Sequence, residues 1–133
     1  MANFNVVGFD AIEQALLREE QTALEAVPEM LQAGAEVLAN EQKAQIEAYN
    51  LIDKGALIKS IKADKIKGEG TGRYVEVYPH GKDKKGVRNA EKAFVAQYGR
   101  TRQPAKPWFT TANEKANAAV HEAMMQVWRD KHK

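Results

Sequence analysis

The side chains that could do chemistry in this chain are few and scattered. Three histidines, His80, His121 and His132, are spread along its second half. The nearest helical pair, His121 and Glu122, are adjacent, so on a helix they point about 100° apart and cannot converge on one metal ion. There is no cysteine, which excludes disulfides, thiolate metal ligands and cysteine nucleophiles. The carboxylates Asp64, Glu69 and Glu76 surround a turn and read as solvated charges rather than as an acid–base pair. Gly68-Glu-Gly-Thr-Gly72 has the glycine content of a phosphate loop. No helix start follows it, so no helix N-terminus would meet an anion there. The expectation is no catalytic residue, no metal, no cofactor and no small-molecule substrate.

Basic side chains give a stronger signal. Lys82, Lys84, Lys85 and Arg88 are followed by Arg100, Arg102 and Lys106. Such residues neutralise phosphates without reading a base sequence. They suit an acidic protein surface equally well, so Lys82, Lys84, Lys85, Arg88, Arg100 and Arg102 are candidates for a protein interface or a DNA-facing surface. Tyr98 and Trp108 are the aromatic residues near them, too few for a ladder of stacked bases.

The formal net charge of +2 conceals a division along the chain. Residues 1–52 carry two basic against nine acidic side chains, a net of −7, and residues 53–103 carry thirteen against six, a net of +7. Opposite regions of neighbouring copies therefore attract, which favours head-to-tail association or a basic face turned to a polyanion. At 133 residues, 44% of them hydrophobic, the chain reads as a single domain spanning 1–133. Its first nine residues are expected to be extended or flexible, with no signal peptide. No window approaches the roughly 18 apolar residues of a membrane span.

The elements that would position these groups follow from periodicity. Asp10 and Glu13 form a capping box, and Ile12, Leu16, Ala23, Val27, Leu31, Gly34 and Leu38 make a helical stripe. Pro28 predicts a kink, or two helices over 10–26 and 28–49. Asp53-Lys-Gly55 reads as a turn, with a helical turn through Leu57 and Ile61 after it. Ser60–Lys67 and Arg73–Tyr78 form a β-hairpin, with Val75 and Val77 on one face and Tyr74, Glu76 and Tyr78 on the other. Residues 79–88 read as an exposed flexible loop. Asn89–Tyr98 fits a helix ended by Gly99, although Phe94, Ala96 and Tyr98 also fit a strand. Pro104 and Pro107 brace a connector, and Pro107, Trp108, Phe109 and Thr111 form an anchor for the last helix. Thr111 and Glu114 read as its capping box, and Ala112, Ala116, Val120, Ala123 and Val127 as its apolar stripe, with Ala119, Met124 and Trp128 beside it.

Three segments in order carry a family resemblance: Gly55-Ala-Leu-Ile-Lys-Ser-Ile61, Ala93-Phe-Val-Ala-Gln-Tyr-Gly-Arg-Thr101 and Ala105-Lys-Pro-Trp-Phe-Thr-Thr-Ala112. With them, residues 25–130 resemble the tail-component or neck proteins of long-tailed bacteriophages, the lambdoid, gene-product-ten-like type of head–tail joining protein. The chain departs from that pattern at three points. Gln97 stands where an acidic residue is favoured, Arg100 separates Gly99 from Thr101, and Trp108 is inserted between Pro107 and Phe109. The resemblance implies a small α+β subunit, in keeping with the elements above: a long N-terminal helical region, a small antiparallel hairpin, a short helix and a C-terminal amphipathic helix. It implies a structural virion protein of the head–tail connector or tail-completion class, made in the host cytoplasm and carried in the virion. Its expected partners are copies of itself in a homo-oligomeric ring, other neck and tail proteins, and non-specifically the DNA passing through the lumen, with no membrane involved. The competing reading is a nucleic-acid-binding module built on the basic hairpin and loop. A small enzyme would need the clustered chemistry that the histidines and carboxylates do not supply.

Overall fold

The computed structural model describes residues 20–69 and 72–131. The Asp10–Glu13 capping box and the first part of the N-terminal stripe lie outside these residues. Within them the chain is α+β, with four helices and one two-stranded antiparallel sheet. In chain order these are α1 (Glu20–Ala48), α2 (Lys54–Ser60), β1 (Ile61–Ala63), β2 (Val77–Pro79), α3 (Asn89–Tyr98) and α4 (Trp108–Lys131).

Helix α1 runs unbroken through Pro28, so two separate helices are not what forms. A proline inside a helix removes one hydrogen bond and costs about 3 kcal/mol. Its neighbours repay that cost. Ala26, Val27, Met30 and Leu31 are all buried beside it, and each large apolar side chain contributes about 1.5–3 kcal/mol on burial. Packing therefore overrides the local preference for a break. Farther along, Ala35, Leu38, Ala39 and Ile46 continue the buried stripe, while Glu25, Glu29 and Glu36 face solvent, as the periodicity requires.

Helix α4 lies along α1 in the most extensive contact between elements. Its buried residues repeat every four positions: Ala112, Ala116, Val120 and Met124. Ala123, Val127 and Trp128 lie at the margin and Ala119 is exposed, so the seam turns toward Met124 rather than following Ala123 and Val127. The two alanines stand in the half of α4 that also holds the buried Trp108 and Phe109.

The hairpin pairs Ile61 with Pro79, Lys62 with Tyr78 and Ala63 with Val77. Pairing continues through Asp64 N–H to the Glu76 carbonyl at 2.8 Å, and then through the mutual hydrogen bonds of Lys67 and Tyr74. Lys65 and Ile66 thus stand opposite the single residue Val75. This is a β-bulge, and it keeps the strands proper to three residues each. Val75 and Val77 point into the core as their alternation predicts. Glu76, expected to be solvated, is buried instead. Gln42 of α1 donates from its amide to the Val77 carbonyl at 3.1 Å and fixes the hairpin to the long helix. The turn before α2 falls at Asn50 and Asp53, both with positive φ, and Gly55 lies within α2 rather than in the turn.

Because Pro28 removes a helix hydrogen bond and an alanine would restore its donor, Pro28→Ala is expected to stabilise the fold by about 1–3 kcal/mol. Thermal melting checks this. An unchanged or lower midpoint would mean that the packing requires the proline's geometry.

Candidate functional site

The 80–88 loop is exposed but internally tied, and Asp83 is the reason. Its Oδ1 accepts hydrogen bonds from the Lys85 and Val87 amides at 2.8 and 2.9 Å. Its own amide donates to the Val87 carbonyl, and its Oδ2 meets the Lys92 ammonium at 3.0 Å. The Lys92 hydrogen bond, with the backbone amides, holds the Asp83 carboxyl below its usual range. Lys82 and Arg88 pair across the loop's neck, and the Asn89 amide donates to the Gly81 carbonyl. The expectation of a flexible loop therefore becomes one of a presented, hydrogen-bonded loop. Pro79 is not part of it, since it is buried in β2.

This geometry divides the six candidate residues. Lys82, Lys84 and Lys85 line a cleft of about 670 Å³ together with Lys59 and Lys62, and Asp53 and Asp83 line it too. Lys59 and Lys62 are not singled out by the sequence, because they belong to an earlier segment and only the β1–β2 pairing brings them beside the loop. Arg88 lies elsewhere, beside Ala90, Glu91, Phe94 and Val95. Arg100 shares a hollow with Lys106, Ile52, Val87 and Val95. Arg102 is exposed on the tight turn closed by the mutual hydrogen bonds of Arg100 and Gln103. The arginines thus flank α3, and the lysines face β1 and α2.

Between the arginines, α3 presents Phe94 and Tyr98. They are 46% and 58% exposed, with ring centroids 4.8 Å apart. On the opposite flank Ala93, Ala96 and Gln97 are buried. Asn89–Tyr98 is thus the helix, and the strand alternative through Phe94, Ala96 and Tyr98 is not what forms. The available signal was the four-residue spacing of two aromatics against a flank of small residues.

Gln97 explains the anchor. Its Oε1 accepts the Phe109 amide at 2.9 Å and the Thr110 amide at 3.3 Å, and its Nε2 donates to Thr110 Oγ1. Those two amides begin α4, where no carbonyl of the same helix can reach them. The cap of α4 thus comes from α3. Thr111, expected as the N-cap, is already inside the helix: its amide bonds the Pro107 carbonyl, and its hydroxyl meets Tyr49 Oη at 3.0 Å. Pro107 itself is exposed just before the helix. Trp108 and Phe109 are buried as expected, and the Trp108 indole donates to the Ala93 carbonyl at 3.0 Å. Gly99 has φ 74, and a Cβ there would lie 2.7 Å from the Gln103 carbonyl oxygen. Glycine is therefore required where the connector folds back on α3.

Around the hairpin, Lys67 lies 3.2 Å from Asp64 and 3.3 Å from Glu76. Tyr78 donates to Asp64 at 3.1 Å. The Lys65 amide, the Lys67 ammonium and Tyr78 hold Asp64 down to about 2, the reverse of what a proton donor needs near neutrality. Asp64 and Glu76 are thus joined through a shared lysine rather than separately solvated, while Glu69 remains exposed. His80 stacks on Tyr78 at 4.0 Å, and burial pushes its imidazole below the usual value. Among the described residues no group of three His, Asp or Glu side chains is placed to hold a metal ion. No helix among them is long and apolar enough to cross a membrane.

A family model described as "Bacteriophage HK97-gp10, putative tail-component" matches residues 10–100, about two-thirds of the chain. The chain belongs to the HK97-gp10-like family. No curated protein and no solved structure matches it. The match spans α1, α2, the hairpin, the lysine loop and α3, ends at Arg100 within the connector, and leaves α4 outside. The Ala105–Ala112 segment of the resemblance lies beyond it. Membership makes the chain a structural phage protein that contacts other phage proteins. A carboxylate in place of Gln97 could accept the same two α4 amides.

Gln97→Ala leaves both amides without their acceptor and is expected to cost about 1–3 kcal/mol. Gln97→Glu keeps the acceptor and places a negative charge at a helix N-terminus, which is favourable by about 0.3–1 kcal/mol. Melting of both variants checks this. A Gln97→Ala midpoint equal to that of the parent would show that the clamp carries no stability.

Proposed function

We propose that this chain is a neck or tail-completion subunit of a phage virion that acts by assembling into a homo-oligomeric ring. The observation that carries the reading is the outer face of α3. Phe94 and Tyr98 stand half exposed on a helix that is tied at both ends, with arginines on either side. Rigid aromatic residues flanked by arginine are the usual composition of a protein-binding hot spot. The −7 and +7 regions supply opposite charges on one chain, and a heterologous contact between such regions closes into a ring when its rotation permits. Membership of a tail-component family supports the setting.

The five-lysine cleft favours a second reading for its own surface. Lys59, Lys62, Lys82, Lys84 and Lys85 converge on one concavity, which suits the phosphate backbone of DNA in the lumen or an acidic neighbour. A freestanding nucleic-acid-binding module would show affinity for DNA that falls steeply with salt in the absence of any assembly.

Static light scattering across a concentration series at low and high salt tests the assembly. The expected result is oligomers at low salt that dissociate as ionic strength rises, since exposed charges are screened beyond about 8 Å at physiological ionic strength. A monomer under all these conditions would contradict the reading.

A further inference from the structure

The aromatic face of α3 has a complement on the same subunit. Along the flank of α1 and the hairpin lies a groove of about 490 Å³. Ala35, Ala39, Ala63 and Ile66 give it apolar walls, and Glu36, Asp64 and Lys65 also line it. Asp64 is already engaged with Lys67, so Glu36 and Lys65 are the charges it presents, and the Lys65 end is the one the arginines must avoid. Glu25 and Glu29 lie exposed farther along the same outward face of α1, and Glu29 reaches Lys131 at 3.5 Å.

The knob and the groove are built from different elements. Helix α3 packs on α2, β2 and α4, whereas α1, β1 and the bulged strands form the groove. One copy can therefore offer both at once. A symmetric alternative, α3 against α3, would set Arg88, Arg100 and Arg102 of one copy against the same residues of the other. Like charges brought together in this way cost several kcal/mol. Against the groove, the same arginines meet the glutamates of α1, and the two aromatic rings meet alanine and isoleucine walls. The knob alone is too small: a stable interface buries about 1,000 Å² or more. Val87 and Ile52, both exposed on the α3 side, extend the apolar surface in that direction.

We propose that the α3 face of one copy, centred on Phe94 and Tyr98, docks into the α1–hairpin groove of a second copy. The contact is heterologous, so each subunit uses both surfaces and leaves one free at each end until the assembly closes. The proposal rests on the assembly reading and specifies its interface.

The absence of native cysteine makes a direct test clean. Glu91→Cys, on the exposed flank of α3 one turn before Phe94, and Gln32→Cys, in the groove, leave the proposed contacts in place. Each variant is treated with a short bismaleimide crosslinker, alone and mixed with the other, and the assembly state is read in parallel by light scattering. The expected result is a covalent dimer in the mixture and little in either variant alone. Glu91→Cys crosslinking to itself would show an α3–α3 contact and overturn the proposal. Oligomers without a mixture-specific product would overturn this interface while leaving the assembly reading standing, and a monomer throughout would remove both. As a second measure, Phe94→Glu is expected to weaken self-association at least about tenfold with an unchanged circular dichroism spectrum, and Phe94→Tyr to retain it. Equal association by Phe94→Glu would overturn the role of the aromatic pair.

Discussion

The structure depends on the seam between α1 and α4. Two helices of 29 and 24 residues each bury one narrow stripe against the other, and that seam carries Pro28 within α1 without a break. Everything else is arranged around it. The hairpin closes one side through Val75, Val77 and the Gln42 amide. Helix α3 closes one end by clamping the start of α4 with Gln97 and receiving the Trp108 indole. These smaller elements do not cover themselves. Helix α3 spends its small residues, Ala93 and Ala96, on the core and leaves Phe94 and Tyr98 outside. Among the described residues no other element covers that face, which leaves it available to another molecule.

The connector between α3 and α4 shows how this exposure is held in place. Gly99 permits the close fold-back, the Arg100–Gln103 turn sets the arginines outward, and the Lys106 amide returns to the Ala96 carbonyl at 2.7 Å. Together with the Gln97 clamp, these bonds make α3, the connector and the beginning of α4 one unit. The aromatic pair and its arginines are thus presented in a fixed geometry. That reduces the ordering cost that binding would otherwise incur.

Much of the fold was legible because it obeys local periodicity. The stripe through Val27, Leu31 and Leu38, the alternation of Val75 and Val77, and the helix ending at Gly99 all follow from spacing alone. The anchor Trp108–Phe109 was legible from apolar content beside a rigid proline. The misreadings share one cause, which is partnership at long range. Thr111 looked like a cap because its own sequence context fits one, while the true cap, Gln97, belongs to another helix. Glu76 looked solvated because nothing nearby in sequence explains its burial, yet Lys67 reaches it across the bulge. Lys59 and Lys62 join the basic cleft only through strand pairing.

The central claim is that assembly covers the outer face of α3 and the α1–hairpin groove. Amide hydrogen exchange on assembled and dispersed protein tests it most directly, since exchange reports where opening is suppressed. The account predicts added protection over residues 89–98 together with residues 32–39 and 61–66, and no change in the lysine loop at 80–88. Added protection confined to the loop, or to neither segment, would contradict it.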